Sequence, residues 1–159
     1  MKNVNREIDY KVMRISSKAF ENNEFIPVKY TCDGLNVSPP LDIDHVPLDA
    51  RSLAIIVDDP DAPTGIWVHW VIWNIPITHH VKENEAHGIQ GTNDFRKHGY
   101  GGPCPPNGTH RYFFKIYALD RLLDLHSNSG KAELEKAMSG HILGFGELIG
   151  LYARRMRFG

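Results

Sequence analysis

Asp59, His69, His110 and Tyr112 stand in contexts that could build a small polar site. Asp59 belongs to Asp58-Asp59-Pro60-Asp61-Ala62-Pro63 and His69 to Trp67-Val68-His69-Trp70. His110 and Tyr112 close the run Pro103-Cys104-Pro105-Pro106-Asn107-Gly108-Thr109-His110-Arg111-Tyr112. Were these side chains to converge, the carboxylate would favour an imidazolium, which donates from both ring nitrogens and suits phosphate, sulfate or carboxylate. Asp59 would orient and charge a histidine, Tyr112 would add a neutral hydroxyl donor, and glycine-rich loop N–H groups could add more. The chemistry expected is recognition of an anion by charge-assisted hydrogen bonds.

Each motif alone has a plainer reading. Asp-Pro-Asp is a turn former, because Asp bonds nearby backbone and Pro presets φ. A histidine among apolar residues is commonly a hydrogen-bonded core residue, and the Pro/Gly run could be a rigid connection. The combination changes the balance. A carboxylate ending a buried strand stands at the rim of the core, where low dielectric strengthens its pull on an imidazole. The second run joins stiff prolines, glycines that let backbone approach a ligand, and His and Tyr donors on one face.

The elements that must position these groups are mainly strands. Residues 52–57, Ser-Leu-Ala-Ile-Ile-Val, form a short apolar run stopped by Asp-Asp-Pro, the pattern of a central strand buried on both faces. Residues 67–75 are aromatic and β-branched, and alternation sets Trp67, His69, Val71, Trp73 and Ile75 against Val68, Trp70, Ile72 and Asn74. Residues 111–119 place Tyr112, Phe114, Ile116 and Ala118 on one face, joined by His110 if the strand starts one residue early. Weaker strand candidates lie at 12–15, 28–31 and 41–43, and 148–154 reads as the closing strand. Residues 131–139 predict a helix, with Leu134, Ala137 and Met138 inward, Ser129 as N-cap and Gly140 as the stop. Many strands with one helix imply an antiparallel sandwich. The glycine- and proline-punctuated stretch 88–109 is long enough to suggest function.

Composition narrows the classes. With 159 residues the chain reads as one domain, residues 1–159 with a core at about 12–155, and needs no disulfide or metal to fold. The 18 Lys and Arg nearly balance 19 Asp and Glu, which argues against nucleic acid as a partner. No signal-like or bilayer-spanning apolar run occurs, so the compartment expected is the cytosol, and Cys32 and Cys104 are expected as free thiols. Gly144-Phe145-Gly146-Glu147-Leu148-Ile149-Gly150 misses the dinucleotide fingerprint, no Gly-x-Ser-x-Gly elbow exists, and no cofactor motif is present. His79-His80 reads as a solvated turn, and Arg154-Arg155-Met156-Arg157 as a solvated strand end and terminus.

Together the motifs resemble those of the phosphatidylethanolamine-binding protein family, the Raf kinase inhibitor-like proteins, in its bacterial form. Asp59-Pro60-Asp61-Ala62-Pro63 is similar to its first signature, Trp67-Val68-His69-Trp70 to its pocket histidine segment, and Tyr100-Gly101-Gly102-Pro103-Cys104-Pro105-Pro106 with Gly108, His110, Arg111 and Tyr112 to its second. The likeness runs from about residue 13 to residue 154. It implies a Greek-key sandwich of two antiparallel sheets with one or two short helices. It also implies a pocket of Asp59, His69, His110 and Tyr112, with Trp67 as wall and Pro105, Pro106 and Gly108 as floor. Family members bind phosphate-like anions and phosphoethanolamine head groups, bacterial ones are often cytosolic homodimers, and membership implies no catalytic reaction. Only Thr64-Gly65-Ile66 separates Pro63 from Trp67, where animal members carry a longer insertion. The chain ends at Gly159, so the C-terminal helix of the animal proteins is not expected, nor is their kinase inhibition. The pocket offers no evident groove for acyl chains, and stable membrane insertion is not expected.

The function expected is thus that of a non-enzymatic ligand-binding or regulatory protein. One alternative is a hydrolase with a His general base or a zinc enzyme using Asp59, His69 and His110, against which stand the missing nucleophile and helical His motif. Another is a kinase or protease inhibitor acting through a protein partner.

Overall fold

A strand that is apolar on both faces must be covered on both, and the computed structural model, which describes residues 11–154, shows what covers residues 52–57. The described strands are β1 (Lys11–Val12), β2 (Arg14–Ser16), β3 (Glu24–Phe25), β4 (Leu41–Asp44), β5 (Ser52–Asp59), β6 (Trp67–Ile75), β7 (His80–Val81), β8 (Ile89–Gln90), β9 (His110–Leu119) and β10 (Ile142–Tyr152). One α-helix, α1 (Lys131–Met138), joins them. The larger sheet has the order β1-β10-β9-β5-β6-β8, with β3 also on β10, and the smaller is β2-β4-β7. Because β9 returns to lie beside β5 after β6 and β8, the sheet contains a Greek key. All pairings are antiparallel except those of β1 and β3, which run parallel to β10.

β5 lies between two cores. Ile55 and Val57 join Trp70, Phe114 and Ile116 against Ile15, Leu41, Ile43 and Val81 of the smaller sheet. On its opposite face Ala54 and Ile56 join Val71 and Trp73 beneath Leu134 and Met138 of α1. Each such side chain contributes about 1.5–3 kcal/mol by leaving water, so the centre of the larger sheet is a rigid base for a site at its end.

Several expectations are corrected. Residues 28–31 are not a strand. Val28–Tyr30 is a 3-10 turn, because Pro27 opens it and its carbonyl, with that of Val28, accepts from Tyr30 and Thr31 three residues on. The last strand begins at Ile142 rather than 148 and stops at Tyr152. Its glycines disguised it: a Cβ on Gly146 would stand 2.5 Å from the Met13 carbonyl, and one on Gly150 2.5 Å from Ile26. They permit the N-terminal segment to cross at close range. The helix cap is Gly130, whose N–H is accepted by the Glu133 carboxylate at 2.9 Å, not Ser129. Gly140, with φ +83, ends the helix region as expected.

The faces of β6 also differ from strict alternation. Val57 pairs with Trp70 but Asp58 with Val68, so His69 is an extra residue in a β-bulge. Val71 and Trp73 therefore join the core under α1, while His69 packs against Tyr112 on the side of the inter-sheet core. A second irregularity at Asn74, with φ 56, moves Ile75 to that inner side too. The expected free thiols are replaced by a disulfide, Cys32–Cys104, with Cα atoms 5.4 Å apart. Free thiols were expected because the sequence shows no signal-like apolar run, and the bond overturns that expectation. Among the described residues no helix is long and apolar enough to cross a membrane.

Candidate functional site

Asp59 is the last residue of β5 and His110 the first of β9, two strands paired along their length. Buried His110 donates from Nδ1 to Asp59 Oδ2 at 2.6 Å, and Asp59 Oδ1 accepts the Asp61 N–H at 2.7 Å. Proline on either side of Asp61 stiffens this turn, and Arg111 clamps it. The guanidinium donates to both Asp61 oxygens at 2.9 and 2.7 Å, and the Arg111 N–H donates to Oδ2 at 3.0 Å. These bonds hold the Asp61 carboxyl down at about 2. Asp58 faces the other side of the sheet, where Lys131 and Lys115 neutralise it at 2.8 and 3.2 Å.

The bulge carries His69 to the same end of the sheet. Its Nδ1 donates to the Gly101 carbonyl at 2.7 Å, and burial lowers its pKa below the ordinary histidine value. The ring is therefore neutral with its hydrogen on Nδ1, and Nε2 is an acceptor. The charge that Asp59 was expected to place on a histidine is therefore not on His69: burial outweighs the pull of Asp59 and of the Gly101 carbonyl, both of which favour the charged ring. Phe95 stands edge-on to both His69 and Trp67, with centroids 5.3 and 5.5 Å apart. Its loop is organised by buried Asn93, whose Oδ1 accepts from the Phe95 and Lys97 N–H groups and whose Nδ2 donates to the Gly99 carbonyl.

Tyr112 completes the inner wall. Its ring lies roughly parallel to His110 at 6.4 Å and edge-on to His69 at 5.2 Å. The hydroxyl is buried without a hydrogen-bond partner, and burial followed by the Asp59 charge raises its pKa far above the usual tyrosine range. It remains a protonated donor with nothing among the described residues to accept from it. Such an atom is costly unless something else occupies its site.

These groups line a cleft of about 350 Å³ together with Trp67, Pro105 and Pro106. Asp59, His69, His110, Tyr112, Trp67, Pro105 and Pro106 are thus brought together, but Gly108 is not among the lining residues. Gly108 adopts φ +67 with open space around it and turns the chain into β9. Phe95, Thr64 and Cys104 also line the cleft and were missed. Only the Asn-Asp turn signal before Phe95 hinted at an ordered loop there. The floor is tied to the 3-10 turn by the disulfide, by Cys32 N–H to the Pro103 carbonyl at 3.0 Å, and by Gly102 N–H to Asn36 Oδ1 at 2.8 Å.

Other candidates lie elsewhere. His79 and His80 are exposed, as a solvated turn requires, but His80 opens β7 and pairs through Nδ1 with Asp42, and His79 Nδ1 donates to the Ile43 carbonyl at 3.2 Å, so the turn docks on β4. Arg154 Nη2 pairs with Asp33 Oδ1 at 2.9 Å, while Arg155, Met156 and Arg157 lie outside the described residues. Among the described residues no group of three or more His, Cys, Asp and Glu side chains has the geometry to hold a metal ion.

Comparison with known proteins agrees with the architecture. A UPF0098 protein of Pyrococcus abyssi is 52% identical over 150 residues, covering 87% of this chain and 84% of its own. A solved phosphatidylethanolamine-binding protein homolog from Chlamydia trachomatis superposes with a TM-score of 0.87 at 39% identity, covering 91% of this chain and 99% of that one. E. coli YbcL, described as a member of the mammalian family of that name, gives a TM-score of 0.82 at 30% identity, covering 90% and 99%. The family model for phosphatidylethanolamine-binding protein matches residues 16–153. With this match, the mainly β two-sheet fold and the ordered motifs in agreement, the chain belongs to the phosphatidylethanolamine-binding protein family.

Proposed function

We propose that the chain is a ligand-binding or regulatory protein that takes a small phosphate-like or carboxylate anion into the cleft. The observation that carries this reading is the unpartnered, buried Tyr112 hydroxyl beside His110. In this reading His110, its Nδ1 committed to Asp59, turns the N–H of Nε2 to the ligand, with the Asp59 carboxylate behind it. Tyr112 supplies the second donor, and the apolar rings of Trp67 and Phe95 strengthen both by limiting water. The family's name, which refers to a phosphate-bearing lipid head group, favours the same chemistry.

The test is calorimetric titration of inorganic phosphate and phosphoethanolamine into wild type and His110→Ala. Loss of this donor is expected to weaken binding at least about tenfold. Equal binding by both proteins would remove the cleft from consideration. The Asp59–His110 pair also has the form of a general-base dyad. Turnover of a phosphate or acetate ester by wild type but not His110→Ala would move the reading to an enzyme.

A further inference from the structure

We propose that the cleft selects anions that bring a hydrogen-bond donor of their own, with His69 Nε2 as the acceptor that reads it, so that protonated phosphate is bound while sulfate and acetate are rejected. This rests on the anion reading above and narrows it.

The tautomer of His69 is set by geometry. Nδ1 lies 2.7 Å from the Gly101 carbonyl, an obligate acceptor, so the ring must carry a hydrogen there. A second hydrogen would make a cation in a residue 3% exposed. Asp59, which already accepts from His110 Nδ1 and the Asp61 N–H, the Gly102 carbonyl and Asp58 would favour that cation, and burial outweighs them. Nε2 thus keeps a lone pair. Edge contacts with Phe95 and Tyr112 hold the ring plane. No hydrogen bond among the described residues uses Nε2, and it is absent from the buried unpartnered atoms, which are Trp73 Nε1 and Tyr112 Oη. It lies across the ring from Nδ1 and is left to whatever occupies the cleft.

An anion entering the cleft therefore meets donors at His110 and Tyr112 and an acceptor at His69. Sulfate and acetate carry no proton at neutral pH and would set an oxygen lone pair against that of Nε2, after displacing a water able to donate to it. Inorganic phosphate keeps at least one P–OH at neutral pH and can satisfy donors and acceptor together. A mismatch of this kind leaves a buried acceptor unpaired and is how polar sites reject analogues that lack a hydrogen. Phosphoethanolamine, whose dianion has lost the P–OH, still carries ammonium hydrogens.

The experiment is titration of inorganic phosphate, sulfate and acetate at neutral pH into wild type and His69→Gln, with the ¹⁵N resonances of His69 followed by NMR. Wild type is expected to prefer phosphate at least about tenfold over either competitor. His69→Gln, whose amide can present N–H or carbonyl, should bring the ratio towards one. In free wild type, Nε2 should show the shift of an unprotonated nitrogen. Comparable binding of sulfate and phosphate by wild type, or a protonated Nε2 in the free protein, overturns the selection rule and leaves the anion reading standing. Binding of none of the three overturns the anion reading, and the selection rule with it.

Discussion

Tyr112 and His69 show how a side chain's hydrogen-bond account separates a site from a core. Both are buried, both pack ring on ring, and both would pass for structural residues by exposure alone. His69 has committed one nitrogen to Gly101, whereas the Tyr112 hydroxyl has no partner among the described residues. Replacing such an atom removes a burial cost without breaking a bond. Tyr112→Phe is therefore expected to keep wild-type stability or gain up to about 1 kcal/mol in urea unfolding, while losing affinity for inorganic phosphate. A loss of stability above about 1 kcal/mol would show that the hydroxyl is structural and would weaken the ligand assignment.

At the scale of elements, the site depends on the turn after β5 being fastened to the start of β9. Asp61 and Arg111 make that fastening, and their bonds hold the Asp61 carboxyl near 2 against an ordinary 3.8. A carboxyl lowered on folding contributes stability that is fully present above its unfolded value and disappears as pH falls through the folded one. The stability difference between wild type and Asp61→Asn should therefore be constant above about pH 4 and shrink towards pH 2. A difference independent of pH across that range would mean that the ion pair contributes nothing, as many exposed pairs do.

The same elements mark how much could be read in advance. β5, β6 and β9 were legible because their apolar runs are short, β-branched and bounded by Asp, Pro and Gly. His110 and Tyr112 followed from simple alternation along β9. The side chosen by His69 did not, because a bulge is a property of the pairing between two strands and leaves no mark in either one. Phe95 was hidden for a related reason: its position is set by the bonds Asn93 makes to its own loop. The start of β10 was masked by glycines whose purpose, admitting β2 and the chain beyond it, lies outside the strand.

At the scale of the whole molecule, the Cys32–Cys104 bond joins residues 72 apart, spanning β4 to β8 and the cleft's floor. Free thiols were expected because no signal-like apolar run was seen; pairing depends instead on two distant loops meeting, which only the fold arranges. Closing a loop of that length restricts the unfolded chain by about 4 kcal/mol at 25 °C on the chain-entropy account. Hydrogen bonds that do not involve the sulfurs cross the same seam: Gly102 N–H donates to Asn36, Tyr100 Oη to the Tyr30 carbonyl at 2.7 Å, and Cys32 N–H to Pro103. The paired replacement of Cys32→Ser and Cys104→Ser should accordingly lower the unfolding free energy by about 4 kcal/mol in guanidinium, while phosphate affinity, to which the wall residue Cys104 supplies no proposed donor, should fall less than in His110→Ala. An affinity lost together with stability would show instead that the bond shapes the floor of the cleft. An unchanged unfolding midpoint without reductant would show that the bond does not restrain the unfolded chain.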